Sequence, residues 1–367
     1  MTRTVERKRR IRIGNRPDGV CRGLVSATVR ALIDVSGARA FAVPGRVPGT
    51  AGVEGMLIEG PQGWGEFSPR CEAEASRAFV AATEAGTVGW PDPVRGRIPV
   101  AATVGTADPA VAAEIVAATG VRTLRVPIGA RPHTDGQDRA RLRAARSALG
   151  DDGCLRPVLE PGWGTAAGLA ALIDDAGGVQ FVEVTDGHPE AIARLRGQAG
   201  VPVAAPVTDA DPRRLADYAD IAVLSVAALG GVRRALRLAE LTGLPAVVNS
   251  PGESSLGIAA GLALAGALAE LPFDCGLGDL GRLAGDLVER VRMLAPVDGR
   301  LPVAPMPPAP DPRQLDRFAV SDPARWHELL VRVARGGPDQ SAPAQDSPVQ
   351  IRAAAKSAAR SVNPLNG

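Results

Sequence analysis

Lysine is almost missing from this chain. Lys8 and Lys356 are the only two among 367 residues, and both lie in the terminal segments. Every other strong base is arginine. Arginine stays protonated at any ordinary pH and makes a poor general base, whereas a buried lysine can be tuned toward neutrality. A reaction in which a mid-chain lysine takes a proton from carbon is therefore excluded. Aromatic residues are also scarce, at 3%, so the core has to be built from Ala, Val and Leu. The four cysteines (Cys21, Cys71, Cys154, Cys275) form no CxxC pair. They read as reduced, packed thiols of a cytoplasmic protein, which argues against both a disulfide framework and a zinc site. The basic N-terminus, MTRTVERKRRIRIG, is followed by no apolar stretch of signal-peptide type. The longest apolar run, IAAGLALAGALAELP, is too short for a membrane span. A formal net charge of +2 calls for neither a nucleic-acid nor a membrane partner.

The sequence that is there divides by rhythm. Residues 1–23 are Arg-rich and aperiodic and read as a flexible basic arm. Residues 336–367, with GGPDQSAPAQDSP, read as a disordered tail with a weak helix at 351–362. Between residues 24 and 95, MLIEGPQGWGEFSP predicts a strand pair joined by a turn, and EAEASRAFVAATEA a helix, giving a small α+β domain. From Ile98 the pattern changes. IPVAATV, VRTLRVPI, CLRPVLEP, VQFVEVTD, VPVAAPV, IAVLSVAAL, PAVVNSPG and DCGLGDL are strand-like, and helical stretches such as DRARLRAARSAL, DPRRLADYA and GVRRALRLAELT separate them. Eight strands with seven helices between them predict an α/β fold of the β/α-barrel type over 96–285. A doubly wound open sheet is the competing architecture, but no GxGxxG follows the first strand.

Several of these segments resemble actinobacterial o-succinylbenzoate synthases of the enolase superfamily. They are GWGEFSP at Glu66, RIPVAATV, Gly162-Trp163, FVEV at Glu183, VPVAA, IAVLSVAALGGVRRALRLAE, SLGIAAGLALAGALAELPFDCGLG and PVDGRLPV. The resemblance covers roughly residues 25–335. It implies a (β/α)7β barrel of the TIM-barrel type with an N-terminal α+β capping domain, to which residues 286–335 return. It also implies a Mg²⁺-dependent dehydration to o-succinylbenzoate in menaquinone synthesis. In that family two lysines face each other across the substrate and three acidic residues hold the metal. Transferred position by position, the Lys-x-Lys motif falls on Arg125-Val126-Pro127, and the opposite lysine falls on Ser225. The metal ligands fall on Val158, Glu183 and Pro206, so only Glu183 is retained. The expectation is a catalytically degenerate family member that needs no cofactor. The alternative is an active lyase or isomerase with a rebuilt site.

Other residues allow a sharp and a plain reading. Glu160 lies two residues beyond Val158 on the same strand face, about 6 to 7 Å along it. It is either a substitute metal ligand or a loop-end carboxylate that caps a helix or pairs with an arginine. Glu183 needs a partner if no metal binds, and Arg125 is the natural one. Asp186 or His188 reads as a polar capping residue before Pro189, with a metal or acid–base role as the sharper reading. His133 and His327 read as surface residues. NSPGESSLG and CGLGDLG lie where the family binds carboxylates. Ser250, Ser254, Ser255 and Gly278, together with Arg46, are the expected ligand-binding residues for a small carboxylate, with the helix start near Ser255 as donor. An ordinary strand-to-helix loop is the plain reading there.

Overall fold

The computed structural model describes residues 33, 35–46, 51–105, 110–129, 135–161, 166–208, 211–304 and 306–336. The expected basic arm, the tail beyond Gly336, Gly162-Trp163 and His133 lie outside these residues.

The chain first forms an antiparallel sheet of β1 (Arg39–Val43), β2 (Val53–Gly60) and β3 (Gly63–Phe67), in the order β1-β2-β3. Helix α1 (Ala75–Thr87) packs on it. The approach is so close that a Cβ on Gly65 would lie 2.0 Å from the Ala82 carbonyl oxygen, so only glycine fits there. Met56, Ile58, Phe67, Ala78 and Ala82 make the core of this capping domain.

Strand β4 (Arg97–Pro99) leads into the barrel. Its strands are β5 (Ala102–Thr103), β6 (Thr123–Ile128), β7 (Cys154–Leu159), β8 (Val182–Val184), β9 (Val203–Pro206), β10 (Ile221–Leu224) and β11 (Ala246–Val248). They form one parallel sheet in sequence order. The segment Cys275–Gly276 closes it by parallel bridges to Val100 on one side and Asn249 on the other. The connections are α2 (Val111–Thr119), α3 (Asp135–Leu149), α4 (Ala166–Asp175), α5 (Pro189–Ala199), α6 (Leu215–Tyr218), α7 (Val226–Leu229) with α8 (Val232–Thr242), and α9 (Ser255–Ala267). Strand β12 (Arg300–Pro302) then pairs antiparallel with β4. Helices α10 (Pro312–Arg317) and α11 (Ala324–Ala334) follow. Trp326 of α11 meets Phe67 edge-on at 6.3 Å, and Leu330 is buried beside it, so the C-terminal part packs on the capping domain.

The period-2 geometry of a strand sorts the barrel residues into two sets. Leu124, Val126, Leu155, Val182, Ala205, Ala222, Leu224 and Val248 belong to the main apolar core with the surrounding helices. Phe181, Ala204, Ile221 and Val247 form a separate small cluster inside the barrel. Both faces are buried, hence the near-continuous Val, Ile, Leu and Ala runs. Helix α8 buries Val232, Ala235, Leu238, Ala239 and Thr242, a stripe of helical period. Helix α9 is buried nearly all round. The apolar run IAAGLALAGALAELP is thus an internal helix, and among the described residues no helix is long and apolar enough to cross a membrane.

Two local expectations change. DPRRLADYA is not a full helix: it forms a 3-10 turn, Pro212–Arg214, and the single turn α6, ended by extended Ala219. The VAAL of IAVLSVAAL is not strand but the short helix α7, which begins after Ser225.

Candidate functional site

The inward-facing residues of the barrel carry the polar chemistry. Strand pairing sets Thr103 beside Arg125, and Pro127, Val158, Glu183 and Ala204 side by side at one level. Arg125 starts two residues below that level and its side chain rises to Glu183, which is 2% exposed. Arg125 Nε donates to both Glu183 oxygens at 3.1 Å, and Nη2 donates to Oε2 at 2.7 Å. Nη1 donates to Thr103 Oγ1 at 3.1 Å. Asn249, just beyond β11, donates from Nδ2 to Glu183 Oε2 at 3.0 Å and accepts the Gly276 N–H at 3.0 Å. Asp279 completes the set by accepting from Thr103 N at 2.5 Å and Thr103 Oγ1 at 2.6 Å, and it lies 3.9 Å from Arg125 Nη1. Burial is the largest influence on the Arg125 guanidinium and acts to lower its pKa. The Glu183 charge and hydrogen bonds, with Asp279, outweigh it, and the net shift is upward.

A second buried arginine sits one strand away. Arg156 of β7 is fully buried. It donates to Gln180 Oε1 and the Asp274 carbonyl, each at 2.7 Å, and lies 4.4 Å above the Phe181 ring. Burial is the main cause of its lowered pKa.

Above the ion pair the lining is apolar. Pro127, Val158, Pro206 and Val223 face inward by their register, and Ser225 continues that face at the start of α7. Pro127 offers no N–H to its neighbours. Its carbonyl accepts from Arg141 at 3.1 Å, and Asp138 accepts from Gly129 N at 2.8 Å, so α3 holds the end of β6 in place. Glu160 sits at the rim, partly exposed. Burial raises its pKa, and the charges of Arg125, Arg282 and Arg70 oppose the rise.

Mg²⁺ does not fit the residues present. The side chains of Val158 and Pro206 have no donor atom for a hard cation. Glu183 spends its oxygens on Arg125 and Asn249, and a dication bound there would face a guanidinium. Among the described residues no group of three or more His, Cys, Asp or Glu is placed to hold a metal.

The start of α9 is where an external anion was expected. Its donors have internal partners. Glu66, from the GWGEF strand of the capping domain, accepts from Ser254 N at 3.4 Å, Gly257 N at 3.1 Å, Ser68 Oγ at 2.8 Å and the Ser254 hydroxyl. Asp286 accepts from Ser255 N at 3.1 Å and from the Ser255 hydroxyl. Ser254 Oγ accepts the Leu256 N–H at 3.2 Å. Every backbone donor from Ser254 to Gly257 is therefore satisfied within the chain. Ser250 Oγ donates to Glu253 at 2.7 Å, and Gly278 N donates to the Ala101 carbonyl at 3.1 Å. Burial is the main cause of raised pKa values at Glu66 and Asp286. At Glu253 burial, with the Glu66 charge behind it, pushes the pKa up to about 7. Arg46 is exposed, and its backbone N–H meets the Arg282 carbonyl at 2.7 Å.

The remaining candidates lie elsewhere. Asp186 accepts from Gly187 N at 2.7 Å. His188 stands before Pro189 at the start of α5, without a side-chain capping bond. His327 lies on α11. A crevice of about 50 Å³ lies between the capping domain and the barrel, lined by Ala51, Ser250, Glu253, Leu277, Asp279 and Arg282 among others. The buried Arg282 Nε has no hydrogen-bond partner.

A capping α+β domain on a parallel barrel, with a polar cluster inside the barrel, defines the class. Residues 108–308 match the family described as "Enolase C-terminal domain-like". Muconate lactonizing enzyme from Pseudomonas fluorescens, solved with muconolactone, superposes with a TM-score of 0.65 over 78% of this chain and 98% of its own, at 19% identity. Muconate lactonizing enzyme from Pseudomonas putida gives a TM-score of 0.64 at 19% identity, over 78% of this chain and 99% of its own. Within that class the chain belongs to the o-succinylbenzoate synthase family. It is 42% identical to the o-succinylbenzoate synthase of Thermobifida fusca over 305 residues, 80% of this chain and 94% of that protein. It is 39% identical to the Mycolicibacterium smegmatis protein of that name over 285 residues, covering 73% and 85%.

Proposed function

We propose that this protein is a non-catalytic member of the o-succinylbenzoate synthase family, acting in the cytoplasm beside the menaquinone pathway that the family serves. One observation supports this reading above the others: the inward-facing family positions at and above Glu183 are held by Pro127, Val158, Pro206 and Ser225, and Glu160 at the rim is the one carboxylate beyond them at the end of the Val158 strand. None of those four can take a proton from carbon or hold a cation against a developing carboxylate charge. Proton transfer alone supplies about a hundred- to ten-thousand-fold. What the region still offers is a crevice beside Arg282, whose Nη1 lies 3.9 Å from Asp279 and whose Nε has no partner, and we take it as the place for one carboxylate group of a small ligand. The protein, purified from a host lacking its own synthase and assayed with Mg²⁺ and the family substrate, is expected to show no turnover above background. A turnover number of about 1 to 1,000 per second would overturn the proposal. Benzoate or succinate is expected to raise the melting midpoint, and less so in Arg282→Met.

A further inference from the structure

We infer that Glu183, Asp279, Thr103 and Asn249 form a cation site inside the barrel, and that the chain fills it with its own guanidinium, Arg125. Three observations carry this. The first is the shape of the contact. The guanidinium meets Glu183 through Nε and Nη2 together, the fork geometry that fits a planar cation to a carboxylate. The second is that the cage is built without Arg125. Asn249 fixes one Glu183 oxygen from β11, and Thr103 is held by Asp279 through both its N–H and its hydroxyl. The Thr103 hydroxyl proton goes to Asp279, which leaves its oxygen lone pair for a cation. The third is a space left by glycine. A Cβ on Gly276 would lie 2.5 Å from Asn249 Oδ1 and 3.0 Å from Arg125 Nη1, so the closing segment of the barrel is bare where the cation and its support pass.

Arg125 is the guanidinium that meets both carboxylates of the set, Glu183 at 2.7 Å and Asp279 at 3.9 Å; Arg282 Nη1 approaches Asp279 alone, also at 3.9 Å. Of the other buried arginines, Arg141 pairs with Asp138, and Arg156 lies over the Phe181 ring and donates to Gln180 and the Asp274 carbonyl, with its Nη2 unpartnered. Removing the Arg125 side chain leaves two oriented carboxylates and a hydroxyl around a guanidinium-sized gap. A planar monovalent cation suits that gap, and a divalent ion is the other cation it could admit. With Arg125 present, neither has room or charge to enter. This inference is independent of the activity reading: measurable turnover would sink that proposal and leave the cage untouched.

The test uses the full chain. For Arg125→Ala the thermal midpoint is followed against guanidinium chloride far below denaturing concentrations, with sodium chloride at equal ionic strength as control, and separately against Mn²⁺. The expected result is a saturable rise with guanidinium in Arg125→Ala and no rise in the unmodified protein or in Arg125→Ala/Glu183→Gln. A rise with Mn²⁺ confined to Arg125→Ala would equally support a cation cage. If Arg125→Ala does not fold, Arg125→Lys keeps a cation in place and is expected to fold and to bind no Mn²⁺. The inference is overturned if folded Arg125→Ala responds to neither cation. It is also overturned if the unmodified protein or Arg125→Lys retains one equivalent of Mn²⁺.

Discussion

At the scale of single residues, the pair Arg125–Glu183 sets a clear energetic expectation. Breaking a buried pair from one side strands a charge, which typically costs about 3–5 kcal/mol. Replacing both partners with apolar residues of similar volume is often neutral or stabilising. Arg125→Met should therefore lower the urea midpoint strongly, and Arg125→Met/Glu183→Met should recover most of the loss. A double variant as weak as the single one would show that the polar network, and not the stranded charge, dominates. Arg125 and Glu183 were legible in the sequence as partners, because each is a lone charge in an apolar strand. Thr103, Asn249 and Asp279 were not. A threonine in a β-run and an aspartate in a Gly-rich loop look ordinary, and Asp279 meets Thr103 across 176 positions.

At the scale of elements, the start of α9 makes a pH prediction. Glu66, Glu253 and Asp286 all have raised pKa values in the folded protein. Such groups hold more protons folded than unfolded, so their stabilising effect is full below the unfolded value. It is lost as pH rises through the folded value. For Glu253 that window runs from the ordinary 4.5 to about 7. Stability should fall across it, by an amount on the order of 1–3 kcal/mol for this group. Glu253→Gln should flatten the urea midpoint between pH 5 and 8, and an unchanged slope in that variant would exclude Glu253 as its source. The helix start itself was legible from Ser254 and Ser255. Its partners were not, because Glu66 lies 188 residues before Ser254 in the chain. The one signal was a carboxylate inside the apolar strand GWGEF. Likewise the length of α6 was overestimated, since DPRRLADYA has a helical pattern but too few residues before β10 to complete it.

At the scale of the whole molecule, the outline was legible because hydrophobic period and turn residues repeat eight times. Closure was less so, since Cys275–Gly276 completes the barrel with bridges in place of a regular strand. Because the Glu183 carboxylate inside the barrel is engaged by Arg125 and Asn249, chelation should not loosen the barrel. Thermal unfolding is expected to be cooperative and to have the same midpoint with and without EDTA. A midpoint that falls on chelation would mean that a metal contributes to the fold. The capping of α9 bears on how the chain assembles. The helix is begun by Glu66, made early in synthesis, and by Asp286, made after the helix itself. Neither the capping domain nor the barrel holds the complete set of partners for that turn. A fragment cut near residue 95 would leave the Ser254 and Gly257 amides without their acceptor, so the two domains should mature together, and only once the chain is made past Asp286.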